Sequence, residues 1–156
     1  MEHNYHLSNK KALFWNMSEY YKALGQDPFE NLPLTFHIEH GLTDKEFINF
    51  RKYFNALKEK IDKQRSELIA MMPNRTLTET VSSNNESCFD DESLQQRFGV
   101  YIPKNIWITK PGENSNRGSG ITVCDTMQEI IAEVSASAKS GHTHIIQKYI
   151  DRPLLF

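Results

Sequence analysis

Apolar residues recur at helical spacing near the start of the chain. Within residues 8–24 they are spaced so that their side chains would share one face of an α-helix. Ser8 is the predicted N-cap of this helix, and Gly25 is its predicted stop. The predicted buried face consists of Leu13, Met17, Tyr20, Tyr21 and Leu24.

A second stretch with helical spacing starts at Thr43. Thr43 and Glu46 form a predicted capping box, and the helix is expected to run to Met72, because Pro73 cannot continue it. Residues 73–98, by contrast, are polar and show no periodicity, which predicts a flexible insert. The buried face predicted for this second helix consists of Phe47, Phe50, Phe54, Leu57 and Ile61.

The remaining apolar segments are short and indicate β-strands. One strand is predicted at 34–38, and two others, at 106–108 and 121–123, flank a polar loop. An amphipathic helix is predicted at 126–138, and a last strand at 143–150. The order strand, loop, strand, helix, strand predicts a fold of the α/β (α+β) class. The helix has a capping box, Thr126 and Glu129, and an apolar face, Met127, Ile130, Ile131, Val134 and Ala138.

Composition narrows the class of protein without identifying it. The chain has 156 residues, enough for one ordinary domain, and a formal net charge of −2. We therefore expect no nucleic-acid partner held by bulk charge, and the lack of a long apolar run predicts no membrane partner. The two cysteines, Cys88 and Cys124, are not spaced as a disulfide framework, which favours a reducing, cytoplasmic compartment. Cys124 and Trp107 are predicted to be buried structural residues.

The loop between the strands at 106–108 and 121–123 carries the chemistry of a phosphate site. Lys110 lies at its start and Arg117 within it, so two cations could neutralise phosphate oxygens. Glycines let backbone N–H groups approach an anion closely. Two interpretations remain open: a flap over a polyphosphate, or an ordinary β-hairpin with a long glycine-rich turn. The glycines are Gly112, Gly118 and Gly120, and Ile121 begins the next strand.

Polar residues interrupt the last predicted strand. An extended backbone can offer N–H and C=O groups to the edge of an adenine ring, and a nucleotide could also partner the polar side chains. Alternation places Gln147 and Lys148 on opposite faces. The alternative is an edge strand whose lysine extends its charged end into water. The segment in question is Gln147, Lys148, Tyr149 and Ile150.

Two segments in combination, WITKPGENSNRGSGI and THIIQKYIDRPLL, closely resemble the tubulin–tyrosine ligase-like family, a branch of the ATP-grasp ligases. The upstream segments LSNKKALFWNM and DPFENLPLTFHI are also similar to that family, so the resemblance covers most of the chain outside the polar insert. It implies a helical N-terminal segment, 1–72, the insert, 73–98, and the first part of an ATP-grasp domain, 99–156.

The resemblance also implies roles for individual residues. Lys110 would contact ATP phosphate, and Arg117 would lie near the nucleotide and, in some members, near the acceptor or amino-acid substrate. The residues implied to close over the nucleotide are Arg117, Gly118, Gly120 and Ile121. The residues implied to form the adenine-binding hinge are Gln147, Lys148, Tyr149 and Ile150.

The activity implied by the resemblance is ligation of an amino acid, glycine or glutamate, to a protein carboxylate through an acyl phosphate. ATP and Mg²⁺ are the implied cofactors, tubulin or microtubules and a free amino acid the implied partners, and the cytoskeleton and cilium the implied location. The Mg²⁺ ligands are expected beyond residue 156, so the chain is expected to be a fragment, inactive alone. The alternative is a non-catalytic fragment that only binds nucleotide or tubulin. No metal site is expected within the chain, because His142 and His144 have no third ligand nearby in sequence.

Overall fold

The computed structural model describes residues 9–72, 90–112, 118–139 and 141–153. These residues form four α-helices and four β-strands, with short 3₁₀ turns at Pro28–Glu30 and Gly41–Thr43. In chain order the elements are α1 (Lys10–Ala23), β1 (Thr35–Ile38), α2 (Lys45–Ala70), α3 (Asp91–Phe98), β2 (Trp107–Pro111), β3 (Thr122–Cys124), α4 (Met127–Lys139) and β4 (His144–Lys148).

The four strands form one sheet in the order β1-β4-β2-β3. All three pairings are antiparallel, so the predicted α/β (α+β) class is confirmed in its α+β form. β4 comes last in the chain but lies between β1 and β2. The alternative interpretation of Lys148 as an edge-strand lysine is therefore wrong, because both edges of β4 are hydrogen-bonded to neighbouring strands.

One face of the sheet is covered by aromatic side chains from the start of α2. Phe36, Trp107 and Ile146 share this face, because paired residues point to the same side. The Phe50 ring packs edge-on against Trp107 at 4.9 Å and against Phe36 at 5.4 Å. α4 packs against β2, β3 and β4. Trp107 and Cys124 are fully buried here, as the sequence predicts.

The other face of the sheet is more polar, and α1 packs beside it. The helix begins one residue later than the predicted N-cap implies, because Asn9 is the N-cap and accepts from the Ala12 amide at 3.1 Å. Ser8 lies outside the described residues. Gly25 follows the helix with a φ of 69°, consistent with its predicted role as a stop.

The prediction of the buried face of α1 is wrong. Tyr20 and Leu24 are more than half exposed, and Ser18 is the one described residue of the helix that is buried. Phe14 turns inward instead and stacks on Phe29 at 6.5 Å. Helical spacing predicted that one apolar face of the helix is buried. The helix instead packs an adjacent face against the Pro28–Glu30 turn.

The cap of α2 also differs from the prediction, although the helix itself is confirmed. Asp44, not Thr43, bonds the Glu46 amide, at 2.8 Å, and it also accepts from the Glu39 and His40 amides. Partial burial opposes ionisation of Asp44, but these N–H donors outweigh it and hold the pKa of the carboxyl below its usual range. Thr43 lies in the preceding 3₁₀ turn, so its hydroxyl donates to the His40 carbonyl.

Residues 55–104 form a second compact unit with its own apolar core. The second half of α2 and the helix α3 contribute to it, and Leu94 of α3 is completely buried. Arg65 binds Asp91 through two hydrogen bonds of 2.5 and 2.6 Å. The core consists of Ile61, Leu68, Leu94 and Ile102, with Leu57, Met72 and Phe98 packed against it.

The helix α3 corrects part of the prediction of an irregular insert. Residues 91–98 are helical because Asp90 caps the first turn, through the Ser93 amide at 3.2 Å, and Gly99 ends the helix with a φ of 64°. A helix of two turns buries too few residues for periodicity to reveal it. The remainder of the predicted insert, 73–89, lies outside the described residues.

The capping box of α4 is formed as predicted. The Glu129 amide donates to Thr126 Oγ1 at 3.3 Å, and the Glu129 carboxylate accepts from the Thr126 amide at 3.4 Å. Ile130 and Val134 of the predicted face are buried. Within the part of the chain that is described, no helix combines the length and the apolar character needed to cross a membrane.

Candidate functional site

Lys110 lies on the polar face of the sheet because of its position in β2. It directly follows Thr109, which faces the buried aromatic side, so alternation turns Lys110 to the opposite side. Gln147 of β4 is paired with Ile108 and shares that face. The Lys110 ammonium donates to Gln147 Oε1 at 2.7 Å. The structure therefore brings together two of the predicted site residues.

A hydrogen-bonded chain continues from Gln147 across the sheet to β1. Thr35 is paired directly with Gln147, and its hydroxyl accepts from Gln147 Nε2 at 3.0 Å. The same hydroxyl donates to the Pro33 carbonyl at 2.8 Å. A series of hydrogen bonds thus starts at the Lys110 ammonium and links the strands β2, β4 and β1.

A pocket of about 180 Å³ opens beside this chain of hydrogen bonds. Lys10, from the first turn of α1, provides a second cation next to Lys110, and none of the described residues that line the pocket is acidic. A phosphate group, with its negative charge and several acceptor oxygens, matches such a lining. The pocket residues are Lys10, Leu13, Phe14, Leu32, Pro33, Thr35, Lys110 and Gln147.

The electrostatics of the pocket favour an anion. Desolvation, followed by the nearby charge of Lys10, lowers the pKa of Lys110 below its ordinary value. Among the described residues, no carboxylate lies within ion-pair distance of the Lys110 ammonium. An anion bound between the two lysines would relieve their mutual repulsion and stabilise both charges.

The side chain of Lys148 points away from this pocket. Its ammonium lies 3.4 Å from the Asp151 carboxylate and 5.8 Å from the centre of the Trp107 ring, on the aromatic side of the sheet. It also donates to the Ile106 carbonyl at 3.4 Å. Of the predicted hinge residues, Gln147 is hydrogen-bonded to Lys110, whereas the Lys148 ammonium lies on the opposite face of the sheet.

The backbone changes from paired to exposed immediately after β4. The Lys148 amide donates to the Leu34 carbonyl at 2.8 Å, and the Tyr149 amide donates to the Ile106 carbonyl at 3.1 Å. Ile150 is 58% exposed, and its amide has no hydrogen-bond partner among the described residues. The peptide between Tyr149 and Ile150 therefore has groups available to contact the edge of a flat ligand.

The loop between β2 and β3 is described at its two ends. Gly118 and Gly120 have φ angles of 81° and 72°, which other residues rarely adopt. A Cβ on Gly120 would lie 2.8 Å from Pro111 Cγ, so glycine also permits a close approach of the two strands. Ile121 is partly exposed and donates its amide to the Gly118 carbonyl. Arg117 lies outside the described residues, so its role stays a prediction, and the antiparallel β2–β3 pairing is compatible with both interpretations of the loop.

Two residues of the site were missed by the sequence reasoning. Lys10 had a local signal: a cation in the first turn of a helix lies near the positive end of the helix dipole and is unfavourable there. Such a position indicates that the charge serves another contact. Thr35 had no signal in its own segment, because its pairing with Gln147 depends on the strand order.

A magnesium site is not formed by the residues that can be described. Within 9–72, 90–112, 118–139 and 141–153, no three His, Cys, Asp or Glu side chains are grouped to hold a metal ion. His144 is buried, with Nδ1 2.7 Å from Ser137 Oγ, whereas His142 is exposed. The described residues around Lys110 suit the charge of a phosphate group, but they include no set of ligands for its metal ion.

The described residues thus form an α+β domain in which one pocket beside the sheet is lined by two lysines. The family model of the Tubulin-tyrosine ligase family matches residues 2–156, so the chain belongs to that family. This result confirms the resemblance carried by the segments around Lys110 and Gln147.

Three similar proteins are tubulin-modifying enzymes by name. The chain is 48% identical over 60 residues to Tubulin glycylase 3E of Tetrahymena thermophila, covering 38% of this chain and 4% of that protein. It is 42% identical over 70 residues to Tubulin glycylase 3A of Drosophila melanogaster, covering 40% and 7%. It is 46% identical over 74 residues to Tubulin monoglycylase TTLL3 of Homo sapiens, covering 41% and 9%. The matched stretches thus span less than a tenth of these relatives.

Proposed function

We propose that this chain forms the phosphate-binding wall of an ATP-dependent ligase that joins an amino acid to a carboxylate of tubulin. The observation that carries the proposal is the pocket that Lys10 and Lys110 both line, beside the hydrogen bond from Lys110 to Gln147. Membership of the Tubulin-tyrosine ligase family supports the class of reaction. The pocket would hold the phosphates that such a reaction requires.

The chemistry explains why cations are needed at this wall. When bound, ATP would supply the phosphoryl group that converts the acceptor carboxylate into an acyl phosphate, with ADP as the leaving group. The amine of the free amino acid would then displace inorganic phosphate and form the amide bond. Lys110 and Lys10 would bind the phosphate oxygens and offset their negative charge. Gln147 would hold the Lys110 ammonium at the pocket through its 2.7 Å hydrogen bond.

Other parts of the site would position the remainder of the nucleotide. The exposed Tyr149–Ile150 peptide would bind the adenine edge, and Gly118, Gly120 and Ile121 would approach the phosphates, with Arg117 as a further cation. Mg²⁺ would be held by residues outside the described ones. The exposed backbone after β4 supports the adenine assignment, and the family resemblance supports the others.

Glycine is the amino acid that we propose as donor. Support comes from the names of the three relatives, all of which are tubulin glycylases or monoglycylases. Glutamate stays the alternative donor, since the predicted motifs do not separate the two. A location on the microtubules of the cytoplasm and the cilium follows from the proposed substrate.

A binding role without catalysis is the second candidate. All the described residues that line the lysine pocket belong to the first compact unit, Met1–Phe54 with Asn105–Phe156. A protein that holds a nucleotide or an acidic tubulin tail at this pocket, and transfers nothing, would use the same two cations.

Nucleotide binding and transfer of glycine test the two candidates separately. Isothermal titration of the chain with ATP and Mg²⁺ should detect binding, and Lys110→Ala should weaken it at least tenfold, whereas Lys58→Ala, on the exposed face of α2, should not. Labelled glycine should then be incorporated into tubulin by the full-length polypeptide and lost with Lys110→Ala. Binding without incorporation would favour the second candidate. Absence of ATP binding would contradict the ligase and the nucleotide-binding form of the second candidate, and titration with an acidic tubulin-tail peptide would then test its remaining form.

A further inference from the structure

The hydrogen bonds between Lys110 and Pro33 all run in one direction. Lys110 Nζ donates to Gln147 Oε1, Gln147 Nε2 donates to Thr35 Oγ1, and Thr35 Oγ1 donates to the Pro33 carbonyl. The two ends of the chain leave no choice, because an ammonium group can only donate and a carbonyl oxygen can only accept. The Thr35 hydroxyl must therefore present a lone pair to Gln147.

This polarity determines the orientation of the Gln147 amide. If the amide turned over, its NH₂ group would face the Lys110 ammonium, and two donors would oppose each other. Its oxygen would then face Thr35, whose hydroxyl hydrogen is already committed to Pro33. The oxygen of Gln147 is thus directed at Lys110 by a hydroxyl on the neighbouring strand.

Thr35 is well placed for this task because it is rigid and shielded from water. It is 4% exposed, and its position in β1 is set by direct pairing with Gln147. A β-branched side chain has few rotamers in a strand, so its hydroxyl is held without a large loss of entropy. No water is needed between Gln147 and Thr35, since the 3.0 Å distance is that of a direct hydrogen bond.

We propose that Thr35 is a positioning residue, which orients the Gln147 amide and through it holds the Lys110 ammonium at the pocket. Thr35 acts on the anion through the other two residues. This inference rests on the proposed function for its consequence, the binding of nucleotide phosphates, but the geometry of Lys110 can be measured without any nucleotide. Loss of the Thr35 hydroxyl would leave Gln147 free to turn and Lys110 free to move.

The experiment compares two threonines that differ in the face of the sheet they occupy. Thr35→Val removes the hydroxyl and keeps the shape of the side chain, and Thr35→Ser keeps the hydroxyl and tests rescue. Thr109→Val is the matched control: Thr109 is fully buried in the same sheet and adjacent to Lys110, but its hydroxyl bonds the Thr122 carbonyl on the aromatic side. All variants are made in the full chain, and thermal unfolding verifies that each is folded.

Two readouts are used, and one of them is independent of binding. The first is the dissociation constant for inorganic tripolyphosphate and for ATP with Mg²⁺. The second is the rate at which an acylating reagent modifies Lys110, followed by mass spectrometry of the peptide. A positioned, hydrogen-bonded ammonium should react slowly, and one released from Gln147 should react faster.

Thr35→Val is expected to weaken binding of both probes about five- to tenfold, the effect of one hydrogen bond, and to accelerate acylation of Lys110. Thr35→Ser should restore both values, and Thr109→Val should change neither. Unchanged acylation and affinity in Thr35→Val would overturn the proposal, as would an equal effect of Thr109→Val. If the unsubstituted chain bound neither probe, the proposed function would fail, and the acylation rates alone would decide the role of Thr35.

Discussion

Lys110 Nζ and Gln147 Oε1 lie 2.7 Å apart, although 37 positions separate the two residues in the chain. The hydrogen bond exists because β4 lies next to β2, with Ile108 paired to Gln147 and Lys110 paired to Ile145. It joins the glycine-rich hairpin to the segment that precedes the exposed Tyr149–Ile150 peptide. A ligand held at Lys110 would consequently meet both segments.

The charge of Lys10 should influence both the titration of Lys110 and the binding of anions. Replacing Lys10 by alanine removes a nearby positive charge, so the pKa of Lys110 should rise toward its ordinary value. Binding of tripolyphosphate should nevertheless weaken, because one of the two cations in the pocket is lost. Nitrogen-15 NMR of the lysine side chains measures the first effect, and calorimetry measures the second. Stronger binding by Lys10→Ala would show that the repulsion between Lys10 and Lys110 outweighs the attraction of Lys10 for the anion.

Protonation of His144 should destabilise the fold in mild acid. Burial lowers the pKa of His144 to about 4, from 6.5 in the unfolded chain. Between these values the unfolded state binds more protons, so the free energy of unfolding should fall as the pH falls from 6.5 to 4, by on the order of 2 kcal/mol at pH 5. Denaturant titrations at several pH values measure this slope.

His142, which lies just before β4, provides the control for that slope. His142→Gln replaces an exposed residue and serves as the control, whereas His144→Gln should reduce the slope between pH 6.5 and 4, because it removes the buried imidazole. The comparison is made on slopes, because His144→Gln can also lower stability at neutral pH by disturbing the contact with Ser137. Equal slopes in both variants would contradict the assignment.

Gly112 should not tolerate a side chain, for steric reasons. A Cβ at this position would lie 2.0 Å from Thr143 Oγ1, while the Gly112 amide donates to the Thr143 carbonyl at 2.8 Å. Gly112→Ala should destabilise the chain by about 1–3 kcal/mol, as overpacking does. Thr143→Ala in the same chain removes the clashing oxygen and should recover much of the loss. Thermal unfolding measures both, and a neutral Gly112→Ala would mean that the two strand ends separate easily.

The Arg65–Asp91 pair should stabilise α3 within the second compact unit. Its two hydrogen bonds form a bidentate contact, so Asp91→Asn should cost about 0.5–1 kcal/mol and increase hydrogen exchange in α3. Glu92→Gln is a matched control, since Glu92 is also an acid in the first turn of α3 but has no described partner. If hydrogen exchange in α3 were equally fast in the two variants, the interaction of the acids with the helix dipole, and not the contact with Arg65, would explain the loss of stability.

The sequence by itself determined the elements and the chemistry of several site residues. Spacing, capping boxes and strand alternation depend on interactions within a few residues, so α2, α4 and the four strands were predictable, as were the burial of Trp107 and the family resemblance. The same local reasoning missed α3, because two turns with one fully buried leucine produce almost no periodic signal.

Only the tertiary structure decided which residues meet. The order β1-β4-β2-β3 places Thr35, Gln147 and Lys110 on one face, and Lys148 on the other with Trp107. The buried stripe of α1 and the pocket between Lys10 and Lys110 were likewise set by packing against residues distant in the chain. Such contacts depend on the free energy of the whole sheet, which no local pattern of polar and apolar positions specifies.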